Sequence, residues 1–64
     1  MKTQIQRMLH EEEDGINLYE TLLENIGKPH TRTEKTLRNV LMKIIRDEKE
    51  HAIALRYVLE QWGK

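Results

Sequence analysis

The chain has 64 residues, no cysteine, and 11 basic side chains against 11 acidic ones. A chain this short buries only about 60% of the surface its unfolded form exposes, and without cysteine neither a disulfide nor a thiolate metal site can help, which leaves assembly or a metal held by carboxylate and imidazole. A net charge of zero removes the long-range attraction to nucleic acid or anionic lipid that a basic domain shows, and the absence of a long apolar run or a signal-peptide pattern points to a cytosolic chain with no membrane partner.

Residues 3–26, "TQIQRMLHEEEDGINLYETLLENI", place Ile5, Leu9, Glu12, Ile16, Tyr19, Leu23 and Ile26 at a repeating step of four and three, the spacing of one helix face. Thr3 with Gln6 fits a capping box at its start, and "GKP" at 27–29 offers a glycine C-cap followed by a proline that cannot continue the helix. The basic cluster Lys28, Arg32, Lys35 and Arg38 around this turn reads as a solvated end, with an anion contact as the competing reading. Thr31 with Glu34 makes a second capping box. Leu37, Leu41, Ile44, Glu48, His51, Leu55, Val58 and Trp62 then repeat the same step. The expected structure is all-α: one domain, 1–64, with a helix over about 3–26, a turn over about 27–31 and a helix over about 32–62, folded as an antiparallel hairpin.

Charge supports that pairing, because residues 3–26 carry six acidic and one basic side chain and residues 31–64 carry eight basic and five acidic. A lone hairpin leaves one side of each seam wet. Two hairpins pairing as a symmetric homodimer, or a higher even oligomer, complete a four-helix bundle.

Three seam positions are not apolar: Glu12, Glu48 and His51. Folded about residue 30, the hairpin brings positions 12 and 48 to one height, and His51 lies one turn from Glu48 on the same face. Carboxylates brought together out of water cost several kcal/mol each or raise one another's pKa until one protonates. A divalent cation removes both problems. Two-fold symmetry would gather four glutamates and two histidines at the centre of the dimer, a donor set suited to iron or manganese, with zinc also possible.

"EEDGINLY" and "DEKEH", with Glu12 seven residues before Tyr19 and 36 before Glu48, resemble the ligand helices of the ferritin-like di-iron carboxylate superfamily, in particular one half of a rubrerythrin, a bacterioferritin or an encapsulated ferritin. The resemblance implies a ferritin-like four-helix bundle and two irons per dimer. Glu12 would be a largely terminal ligand, Glu48 would bridge two metals and His51 would complete the shell. Asp47 matches an acidic position that orients a ligating histidine, here His51 of a second copy. Tyr19 matches an aromatic kept close to the site as a hydrogen-bond donor or electron source. The implied activity is oxidation of Fe(II) by dioxygen or peroxide, a ferroxidase-type oxidoreductase reaction in which Glu12, Glu48, His51 and Tyr19 take part. The chain lacks a second pair of ligand helices, a cysteine-bearing electron-relay module and a recognisable cargo-loading tail, so the site depends on dimerisation.

Competing readings stand beside these. Glu12 is a solvated charge like its neighbours Glu11, Glu13 and Asp14, or Glu48 and His51 form an ion pair that fixes the register of a metal-free structural or regulatory dimer. Tyr19 is ordinary core, as Trp62 and the leucines and isoleucines are expected to be. His10 and His30 fall off the seam and receive no role. Gly15 costs about 1 kcal/mol relative to alanine inside a helix, so its missing side chain should serve either close helix approach or room for an oxygen species at the metal.

Overall fold

The computed structural model describes residues 1–63. Two helices, α1 (Lys2–Ile26) and α2 (Arg32–Gln61), pack against each other along their length, with no strand among the described residues. At 1.5 Å per residue the 30 residues of α2 span about 45 Å, which accounts for a body measuring 51 × 14 × 13 Å.

The two helix starts differ. At α1 the expected Thr3–Gln6 box is not used: Ile5 donates its N–H to the Met1 carbonyl at 3.2 Å, so the first turn closes earlier and Thr3 lies inside it, with no side-chain cap. At α2 the box forms in full. The Glu34 N–H donates to Thr31 Oγ1 at 3.0 Å, and Glu34 Oε1 accepts from the backbone N–H of Thr31 at 3.0 Å and of His30 at 3.1 Å. These backbone donors, His30 first, hold the Glu34 carboxyl below its ordinary pKa. Between the helices, Gly27 takes φ +59° and donates to the Leu23 carbonyl at 3.1 Å. Side chains with a Cβ rarely adopt that conformation, which is why glycine stands there.

The core is small. Ile16, Leu41, Ile45 and Ala52 are the only buried apolar residues among those described, with Leu9, Tyr19 and Leu23 packed partly against the cluster of Ile16, Ile45 and Ala52. The accessible surface is 5270 Å², whereas a compact monomer of 7.7 kDa would expose about 4,300 Å².

The seam on α2 departs from the sequence expectation. Apolar residues come there as adjacent pairs, Val40–Leu41, Ile44–Ile45 and Val58–Leu59, and His51–Ala52 falls in the same series. Neighbours in a helix point about 100° apart, so only one of each pair can meet α1. It is the second: Leu41, Ile45 and Ala52 are buried and Leu59 half-buried, whereas Val40 and Val58 are exposed. Of the expected line, Leu41 is buried and Ile44, Glu48 and Leu55 are half-buried, whereas its edge through His51 and Val58 is exposed and turns away from α1, to one side of the hairpin. Leu37 and Trp62, also expected in the core, are exposed with it, as are Met8, Leu18 and Leu22 of α1. These residues lie on the same side of the two helices as Gly15, and we call this the open face. The opposite side carries Glu13, Asn17 and Glu20 of α1 against Arg46, Lys49, Ile53 and Arg56 of α2.

Candidate functional site

Near the middle of both helices the seam loses its apolar character. Leu9 and Ile16 bracket Glu12 on α1, and Ile45 and Ala52 bracket Glu48 on α2, so the periodicity that builds the core also carries two carboxylates into it. Antiparallel folding brings the two together. The Glu48 carboxyl is held above its ordinary pKa, first by side-chain hydrogen bonding with Glu12, then by partial loss of water and by the Glu12 charge, with His51 pulling the other way.

Glu12, like Glu48, is half-buried, whereas His51 is exposed. Glu12 Oε2 is shielded from solvent and has no hydrogen-bond partner. His51 Nδ1 stands 3.6 Å from that oxygen, beyond hydrogen-bonding distance, on a side chain that is 63% exposed. An enclosed carboxylate oxygen without a partner is costly. The imidazole reaches it from the open face, so the acidic pair in the seam continues to the surface where the apolar residues lie bare.

Asp47 and Tyr19 take different places. Asp47 lies 3.9 Å from Arg46 and is about half exposed, and the periodicity of α2 sets it beside His51 at the edge of the open face. Tyr19 packs partly against Ile16, Ile45 and Ala52, one heptad from Glu12 as the sequence spacing requires. Gly15 stands between them: a Cβ there would lie 3.0 Å from Glu48 Oε2, 3.8 Å from Glu48 Cδ and 3.9 Å from Tyr19 Cε2. All three nearest atoms belong to side chains, so close backbone approach of the helices is not what excludes a side chain at this position.

The solvated neighbours do more than expected. Glu13 forms a 2.9 Å ion pair with Arg56, Glu20 lies 3.7 Å from Lys49, and His10 and Asp14 pair at 3.3 Å along α1. The first two cross between the helices on the side opposite the open face. Their signal in the sequence is the acidic bias of α1 against the basic bias of α2, which does not say which residues meet.

Among the described residues, no three metal-ligating side chains of one chain converge closely enough to hold an ion. No helix of those residues is long and apolar enough to cross a membrane. Comparison with known protein families, curated proteins and solved structures gives no match to this chain.

Proposed function

We propose that the chain forms a homodimer, or a higher even assembly, through its open face, and that the dimer is a ferritin-like four-helix bundle binding two Fe(II) ions and oxidising them. The observation that carries this reading is the enclosed, partnerless Glu12 Oε2 beside Glu48 and His51. Two carboxylates and an imidazole per chain, one of the oxygens lacking a donor, suit a hard or borderline divalent cation. One chain offers too few ligands in one place, and a two-fold axis beside His51 would double them to four glutamates and two histidines.

The surface supports pairing on that face. The chain exposes about 1,000 Å² more than a compact monomer of its mass, close to the roughly 800 Å² per partner of a standard interface. Seven large apolar residues, Met8, Leu18, Leu22, Leu37, Val40, Val58 and Trp62, stand bare on the side where His51 meets Glu12.

Iron is the substrate in this reading. Two Fe(II) ions give up one electron each, and dioxygen takes both with two protons to become hydrogen peroxide; where peroxide is the oxidant, the same two electrons and two protons yield water. The residues of the chain hold the ions and manage charge. Glu12 and Glu48 offset the positive charge of the ions. Asp47 orients His51 of the second copy by accepting its free ring N–H. Tyr19, at the edge of the core, donates a hydrogen bond or an electron. Manganese or zinc fits the same donors without matching the redox chemistry. A cytosolic location belongs to the same reading.

A second reading has its own support. His51 Nδ1 stands 3.6 Å from Glu12 Oε2, so the polar residues could instead fix register, without metal, in a structural or regulatory dimer. Anaerobic loading with Fe(II) followed by exposure to oxygen separates the two. The wild type should form Fe(III), followed by its near-ultraviolet absorbance, whereas Glu48→Ala and His51→Ala should lose both iron binding and oxidation. Full activity in either variant would defeat the metal reading.

A further inference from the structure

Gly15 lies in the middle of a 25-residue helix, where glycine is the poorest residue short of proline. Its backbone gives no reason for the choice, since positive φ among the described residues is confined to Gly27 and Gly63. The reason lies in what occupies the space of the missing side chain. Glu48 Oε2, from the opposite helix, is 3.0 Å from where a Cβ would be, with Tyr19 Cε2 at 3.9 Å. Gly15 is also three residues after Glu12, one turn further along the same flank of α1. The bare α-carbon thus forms a notch beside Glu12, and the carboxylate of Glu48 rests in it.

We propose that Gly15 is a positioning residue, whose missing methyl group seats the Glu48 carboxylate against α1, level with Glu12. In its functional consequence the inference rests on the reading of Glu12, Glu48 and His51 as iron ligands. A methyl group at this position would force the carboxylate aside by a few tenths of an ångström. Because the displaced atom ends a flexible side chain, the fold accommodates the change and the ligand geometry does not. Stability and metal affinity should then move in opposite directions, which no purely structural role for Gly15 produces.

The test is Gly15→Ala in the full chain, with thermal unfolding of the metal-free protein and Co(II) titration followed by visible absorbance. Alanine should raise the metal-free Tm by a few degrees through helix propensity while weakening Co(II) binding by about tenfold or more, the range seen when a residue that orients a ligand is lost. Co(II) affinity within twofold of wild type would overturn the inference, as would a parallel fall in Tm and affinity. If the wild type binds no Co(II), the iron reading fails separately, and the seat is judged in the metal-free protein by NMR. A nuclear Overhauser contact between the Gly15 α-protons and the Glu48 γ-protons would support it, and its absence would overturn it.

Discussion

The two flanks of the hairpin solve the same problem differently. On one, Glu13 meets Arg56 and Glu20 lies near Lys49, opposite charges crossing between helices in contact with water. On the other, Glu12 and Glu48 are like charges in contact, His51 reaches Glu12 from the surface, and the surroundings are bare apolar side chains. The first arrangement is complete within one chain. The second leaves an oxygen without a partner beside seven large apolar residues without cover, while Met42, Ile53 and Tyr57 are exposed elsewhere on α2. On that coincidence rests the proposal of a second copy and a cation at this face.

The largest effect should come from attacking the open face. Leu22→Asp would place a charge in the interface, costing about 4 kcal/mol, or about a thousandfold in the dimer dissociation constant. Analytical ultracentrifugation should find monomer, and iron binding should disappear with the dimer. A Leu22→Asp dimer of unchanged affinity would put the interface elsewhere.

A smaller effect distinguishes the charged pair itself. A carboxyl whose folded pKa lies above its unfolded value favours the fold when protonated, so the contribution of Glu48 is present in acid and is lost as pH rises through its raised folded pKa. Glu34 has the opposite sign, its stabilisation disappearing as pH falls through its depressed folded pKa. In metal-free protein, Glu48→Gln should therefore flatten the decline in Tm on the alkaline side of the ordinary carboxylate range while leaving the acid limb, governed in part by Glu34, in place. An unchanged alkaline-side slope would show that Glu48 is not held by Glu12.

The smallest effect belongs to the opposite flank. Arg56→Ala removes an exposed ion pair worth about 0.2–1 kcal/mol, so Tm should fall by a few degrees at most, and less in high salt. Metal binding should be untouched. A large loss would mean that this flank also holds an interface.

The helices, the turn and the second capping box were legible in the sequence because each is a local rule: period, glycine before proline, and a threonine three residues ahead of a glutamate. The convergence of positions 12 and 48 followed from counting outward from the bend. The face of α2 that meets α1 was not legible. Ile44 and Ile45 are chemically equivalent, and so are Val58 and Leu59, so periodicity alone could not say which of each pair turns inward. Trp62 and Leu37 were misplaced for the same reason, as members of a wide apolar face of which one chain covers only an edge. At the start of α1, Thr3 offered a cap that the backbone bypassed by closing its turn on Met1. The tie between Gly15 and Glu48 could not be foreseen either, because it depends on how a side chain from the other helix lies.

The central claim is that two copies share one site. Native mass spectrometry after anaerobic reconstitution with Fe(II) reports subunit and metal count together. The account predicts two irons on a dimer, or that ratio in a larger even assembly; a monomer, or a dimer free of iron, would contradict it.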